Sequence, residues 1–120
     1  DALRIPIEYL AELFTAGERA GLRVAAEIFA DRAYTDAGTL VPRREPGAVL
    51  HDDEAVVAHV LRMLDAGGLV ARSGKRLPTA MHSICVHGDT PGAVANARRL
   101  RAALEASGWR LSGLSEVLGG

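Results

Sequence analysis

Apolar and polar residues along the chain switch between helical and strand-like patterning. Ile7, Leu10, Leu13 and Phe14 recur at three- and four-residue spacing, which predicts a helix over 8–20. Gly17 weakens its second half, and Gly21 is placed to end it in a left-handed conformation. Residues 22–29, L-R-V-A-A-E-I-F, are mostly apolar and predict a strand covered on both faces. Residues 30–50 have no period but hold Asp31, Asp36, Gly38, Pro42, Pro46 and Gly47, which predicts a structureless loop. A loop of about twenty residues is uncommon in a compact domain and is usually functional. Asp52 is placed to N-cap a helix running through Leu64, with Asp53 and Glu54 beside its positive end. Val56, Val57, Val60, Leu61 and Leu64 form its apolar stripe, and Gly67-Gly68 stops it. Residues 69–77 turn at Ser73-Gly74 and predict a hairpin, and residues 82–88, H-S-I-C-V-H-G, predict a second buried strand. Thr90 followed by Pro91 signals a helix start, with Val94, Ala97, Leu100 and Leu104 buried and an end near Ser107-Gly108. Helices alternating with buried strands belong to the α/β class.

Composition narrows the function classes. The chain has 120 residues, 48% hydrophobic and 24% charged, which excludes disorder and allows one domain over 1–120. Fourteen Lys and Arg against fifteen Asp and Glu leave a net charge of −1, so neither nucleic acid nor an anionic membrane is an expected partner. No apolar run approaches the ~20 residues of a membrane span, and the first residues carry no signal-peptide pattern. A single Cys forms no internal disulfide and fits a reducing cytoplasm. The chain begins at Asp1 rather than Met, which suggests a processed or partial polypeptide.

The candidate chemistry lies in two blocks. H-G-D-T-P at 87–91 joins the carboxyl end of a predicted strand to the start of a helix, where α/β proteins collect ligands. Strand alternation places Cys85 and His87 on one face and Ile84 and Val86 on the other. His87 is suited to act as acid, base or ligand with Asp89 orienting it; alternatively Asp89 and Thr90 only cap the helix. Cys85 reads as a small core residue rather than a nucleophile. In the second block, E-I-F-A-D-R-A-Y at 27–34, Glu27 interrupts an apolar strand and needs a partner, for which Arg32 is at hand. Either a buried Glu27–Arg32 pair pins the loop, or Asp31, Arg32 and Tyr34 contact substrate. His51, His59 and His82 lack ligand spacing and read as solvated or capping residues. No phosphate-binding loop of the G-x-x-x-x-G-K-[ST] kind is present.

Together, E-I-F-A-D-R-A-Y-T-D-A-G-T-L-V-P-R at 27–43, G-A-V-L-H-D at 47–52 and I-C-V-H-G-D-T-P-G-A-V at 84–94 resemble the LamB/YcsF family over residues 17–107. The resemblance implies part of an irregular (β/α) barrel of the glycoside hydrolase/deacetylase type. The family motifs D-x-N-x-D-x-G-E and C-G-F-H-A-G-D have no match here, and residues 1–16 fit poorly, so the implied piece is the carboxyl-terminal half. The family's characterised activity is that of one component of a multisubunit, ATP-dependent 5-oxoprolinase, which opens the cyclic amide of 5-oxoproline to glutamate. The resemblance thus implies ATP as co-substrate, a small-molecule substrate and two partner subunits resembling allophanate hydrolase. The missing amino-terminal half, or a second copy, is expected to complete the fold, and the isolated chain is expected to be inactive. Carried onto this sequence, His87, Asp89 and Asp31 are the implied catalytic residues, and Glu27, Arg32, Tyr34 and Arg43 the implied substrate-binding residues. The identity of any divalent metal is left open. A metal-dependent deacetylase-like hydrolase using His87 as a ligand, and a non-catalytic assembly module docking through the 31–43 loop, are the alternatives.

Overall fold

The computed structural model describes residues 7–89 and 91–119, with side chains from Glu12 onward. The chain folds as α1 (Ile7–Arg19), β1 (Glu27–Phe29), α2 (Asp53–Ala66), β2 (Gly68–Val70), β3 (Arg76–Pro78), β4 (Ser83–Cys85), α3 (Ala93–Ala106) and α4 (Leu114–Val117). Strands β1 and β4 pair in parallel, with Glu27 opposite Ser83, Ile28 opposite Ile84 and Phe29 opposite Cys85. Strands β2 and β3 form an antiparallel hairpin. The class is therefore α/β, and among the described residues no barrel closes.

The parallel pair has two different faces because successive side chains alternate. Ile28 and Ala30 are buried at 2% and 0% exposure. Ala30 packs with Val56, Val57 and Val60 of α2 and with Leu100 and Leu104 of α3, and Ile28 packs with Met63, Leu69 and Val70. Glu27, Phe29 and Cys85 occupy the opposite face and stay exposed or half-buried. One face thus carries the core, and the other stays partly open to solvent.

Helix α2 begins and ends as its sequence signals demand. The Asp52 carboxylate accepts a hydrogen bond from the Ala55 N–H at 3.2 Å, and Gly67 closes the helix at φ 71°. Its buried residues enter both core clusters, Val56, Val57 and Val60 with Ala30 and Met63 with Ile28.

Three expectations are corrected. Strand β1 spans 27–29 rather than 22–29: Leu22 and Arg23 are exposed, and Arg23 donates to the Ser115 carbonyl at 2.8 Å. Pairing starts only where β4 begins, because the His82 and Ser83 N–H groups both reach the Ala26 carbonyl. Helix α3 begins at Ala93 after a Pro91-Gly92 turn, with Gly92 at φ 81° and no side-chain cap; the expected Thr90 cap lies outside the described residues. Of its expected buried stripe, Leu100 and Leu104 are buried, whereas Val94 is 66% exposed and Ala97 is exposed. On α1, Leu13 is 63% exposed and Phe14 half-buried.

The 30–50 segment is ordered rather than structureless. Isolated bridges join Arg32 to Val49 and Tyr34 to Leu40. The Ala33 N–H reaches the Ala48 carbonyl at 2.9 Å, the Val41 N–H reaches the Ala33 carbonyl at 3.0 Å, and Ala33, Val41 and Ala48 form a small core of their own. Its turn residues therefore fold three short extended runs against one another. A one-run periodicity search misses such a unit because no run is long enough to show a period.

Candidate functional site

The site grows from the register of the parallel pair. Glu27 and Ser83 are paired, and so are Phe29 and Cys85; two residues further on, Asp31 and His87 occupy the next position on the same face. The His87 Nδ1 lies 2.8 Å from Asp31 Oδ1 and 3.0 Å from Oδ2. A carboxylate only accepts, so Nδ1–H donates and the neutral imidazole keeps an unprotonated Nε2. The His87 side chain is 30% exposed and the Asp31 side chain 19%, so the pair is sheltered yet reachable. The Phe29 ring packs at 5.5 Å from the imidazole, tilted by 44°. Both residues follow the carboxyl ends of neighbouring parallel strands, the position at which α/β sheets hold reacting groups.

The partner of His87 is therefore Asp31, not Asp89 as expected from adjacency in sequence. Asp89 is exposed, beyond the strand end and before the Pro91-Gly92 turn. The reason is geometric: parallel register brings residues 56 apart together on one face, whereas a residue two positions along an extended chain points the same way without turning back.

Glu27 is corrected as well. It is exposed, and its carboxylate accepts from the Ser83 hydroxyl at 2.7 Å rather than pairing with Arg32. It belongs to the same face as the His87–Asp31 pair but lies four residues upstream of Asp31, or about 13 Å along a strand.

Arg32 and Tyr34, expected to contact substrate, are buried at 4% and 6% exposure. The Arg32 guanidinium donates to the Val41 carbonyl at 3.0 Å, and the Phe29 N–H donates to the Tyr34 hydroxyl at 2.9 Å. Burial pushes the Tyr34 phenol above its ordinary pKa, which keeps it neutral. Both side chains fasten the 31–50 segment against the strand end and so fix the backbone that carries Asp31. Arg43 is exposed on the same segment, and its charge, after burial, helps to pull the Arg32 pKa down.

Sequence reasoning missed His59. It is 7% exposed on α2, its Nε2 lies 2.8 Å from the Arg32 carbonyl, and its ring stacks on Tyr34 at 6.2 Å. Burial lowers its pKa, so the neutral ring donates Nε2–H to that carbonyl. The available signal was its place between Val56 and Val60 on the buried stripe, where a solvated histidine does not belong. His82, expected to be solvated or capping, accepts from the Ala26 N–H at 2.9 Å and stacks on Phe14.

His59 sets a pH dependence of stability. The unfolded imidazole, at its ordinary pKa, binds a proton that the folded site refuses, so stability rises with pH through this range. The contribution is present above pH ~6.5 and is lost as pH falls toward the depressed folded value. Thermal unfolding between pH 7.5 and 5 is expected to show a falling midpoint, with a shallower fall in His59→Gln.

Burial also pushes the Cys85 thiol up, and the nearby Glu27 and Asp31 charges push it further. A protonated thiol is a poor nucleophile, in keeping with a packing role. Among the described residues no three His, Cys, Asp or Glu side chains gather in a metal-binding arrangement; His87 and Asp31 supply two donors only. Among the same residues, no helix is long and apolar enough to cross a membrane.

Fold and site together define an α/β protein with an imidazole–carboxylate pair at the carboxyl edge of parallel strands. The chain belongs to the LamB/YcsF family, whose profile matches residues 2–119. It is 69% identical over 108 residues to the A-type subunit of 5-oxoprolinase from an Azoarcus species, covering 90% of this chain and 42% of that protein. It is 53% identical over 102 residues to the corresponding 5-oxoprolinase subunit of Streptomyces avermitilis, covering 85% and 41%. The crystal structure of the lactam utilization protein from Thermus thermophilus superposes with a TM-score of 0.70 at 36% identity, covering 81% of this chain and 38% of that one. The chain thus spans about two fifths of the length of these relatives.

Proposed function

We propose that this chain forms part of the active site of an ATP-dependent 5-oxoprolinase, within an irregular (β/α) barrel completed by the rest of the polypeptide. The observation that carries the reading is the 2.8 Å contact between His87 Nδ1 and Asp31 at the ends of two paired parallel strands. The names of the relatives support it: 5-oxoproline is itself a lactam, so an oxoprolinase subunit and a lactam utilization protein share one bond type.

Hydrolysis of a cyclic amide needs a proton removed from water as its oxygen adds to the ring carbonyl carbon. The ring nitrogen must then take a proton as the carbon–nitrogen bond breaks. The bare Nε2 of His87 takes the first proton, and the resulting imidazolium returns one to the leaving nitrogen. Asp31 holds Nδ1–H throughout and stabilises the charged ring, which makes it the orienting carboxylate. Exposed Arg43 is the cation suited to the substrate carboxylate or to a phosphate group. Glu27 and Ser83 line the far end of the same face. ATP enters as co-substrate of the complex, and two allophanate-hydrolase-like subunits are its proposed partners.

The test is Asp31→Asn in the complete enzyme, with turnover and subunit assembly measured together. The reading expects a loss of about 10²-fold in kcat, the lower end of what positioned acid–base groups contribute, with assembly intact. An unchanged rate, or lost assembly with the residual rate intact, would replace it by a docking role for the 31–43 segment.

A further inference from the structure

Asp31 lies just past the end of β1, so its position depends on how the backbone around it is held. The Ala30 N–H donates to the Cys85 carbonyl at 3.0 Å. Backbone groups alternate in direction along a strand, so the Phe29 N–H points away from β4. On the other side of Asp31 the chain pairs with the returning 48–50 run. The Leu50 N–H reaches the Asp31 carbonyl at 2.8 Å and the Ala33 N–H reaches the Ala48 carbonyl at 2.9 Å. Arg32 and Val49 face each other between those bonds, so the Arg32 carbonyl points away from the returning run. Two backbone groups flanking Asp31 are thus turned away from both neighbouring runs of chain.

Each of them meets a buried ring. The Phe29 N–H donates to the Tyr34 hydroxyl at 2.9 Å, and His59 donates Nε2–H to the Arg32 carbonyl at 2.8 Å. The two rings stack on one another with 27° between their planes. Filling the core does not call for these residue types. Tyr34 shares its cluster with Ile28, Met63, Leu69 and Val70, and His59 lies between Val56 and Val60 on the buried stripe of α2. Apolar side chains there would fill the space without the cost of burying polar groups. What the polar rings add is a pair of hydrogen bonds to the main chain, one before and one after a single carboxylate.

We propose that His59 and Tyr34 are positioning residues, a stacked unit that clasps the chain on both sides of Asp31 and sets its carboxylate against His87 Nδ1. An aspartate has only two side-chain torsions, each with few favoured settings, so its oxygens go where its backbone is held. A misplacement of about 1 Å at a reacting group costs on the order of 10²-fold in rate, so a smaller shift of this strand end is already a kinetic defect. Both rings act through Asp31 and neither touches substrate. The inference rests on the catalytic reading of the His87–Asp31 pair and adds to it the side chains that hold that pair in place.

The test is a set of double-mutant cycles in the complete enzyme, with kcat, KM and the thermal midpoint measured for each variant. His59→Phe keeps a ring against Tyr34 and deletes the donor, and Tyr34→Phe deletes one oxygen atom. Each should lower kcat about tenfold with KM nearly unchanged, and His59→Gln, which returns an N–H donor, should recover most of the rate. In an Asp31→Asn background the same two substitutions should change kcat by less than about twofold, because the carboxylate they position is gone. Leu104→Ala, a truncation of the buried core on α3, should lower the midpoint and leave kcat near that of the parent. Tyr34→Phe carries the test alone if His59→Phe does not assemble. Equal losses in both backgrounds would overturn the inference and leave the catalytic reading standing, and so would an unchanged kcat in both single variants. An Asp31→Asn enzyme as fast as the parent would overturn the two together.

Discussion

His87→Ala in the complete enzyme is expected to lower turnover of 5-oxoproline by roughly 10²–10⁴-fold while leaving the fold unchanged. The side chain is 30% exposed and projects beyond the end of β4, so its loss opens no cavity in the core built on Ile28, Ala30 and α2. On the proposed mechanism, what disappears is the group that takes a proton from water and returns one to the ring nitrogen. KM should change little, because the imidazole acts on charge that develops during reaction rather than on the bound ground state. Steady-state kinetics of the assembled enzyme, with subunit stoichiometry measured on the same preparation, checks both parts. A rate within a factor of about three of the parent, far short of the general acid–base range, would remove His87 from the chemistry.

The largest effect on stability is expected at Gly68. A Cβ built there meets the Leu77 carbonyl oxygen and comes within 2.7 Å of Pro78 Cα and 2.8 Å of Thr79 N, all backbone atoms of the facing strand and its end. The hairpin cannot yield locally, because Leu69 and Val70 are held in the core beside Met63 and the Arg72 N–H is tied to the Tyr34 carbonyl at 2.9 Å. Gly68→Ala should therefore cost about 3 kcal/mol, the upper part of the range for overpacking, and lower the thermal midpoint by roughly 10 °C. Gly113→Ala provides the contrast: its φ is −62° and nothing lies near its would-be Cβ, so the midpoint should stay put. Equal midpoints for the two variants would mean that the β2–β3 approach is looser than described.

The legible parts of this chain are those specified by local chemistry. Asp52, the Val56–Val60 stripe and Gly67 state a helix, its buried face and its end, and each is realised. Ser73-Gly74 between apolar pairs states the hairpin, and β2 and β3 form it. Register is not local, and there the reading fails: nothing near His87 in sequence names Asp31 as its partner, because the 56-residue offset exists only once β1 and β4 are paired. For the same reason Glu27 reads as a buried charge in need of Arg32, although an alternating face places it outward beside Ser83. Arg32 and Tyr34 sit in a motif that looks functional as a string of letters. Their burial shows a division of labour within that string, with Asp31 presented to the site and its neighbours fastening the backbone behind it. Val94 and Ala97 escape the expected burial although Leu100 and Leu104 of the same stripe are buried, and Ala93 is buried with those two instead.

The central claim is that Asp31 holds the Nδ1 proton of His87 and leaves Nε2 available to accept another. ¹⁵N NMR of the imidazole nitrogens, recorded at a pH where the ring is neutral, reads this directly. The account predicts a protonated Nδ1 and a bare Nε2, with the preference weakened in Asp31→Ala. A ring carrying its proton on Nε2, unaffected by that substitution, would contradict it.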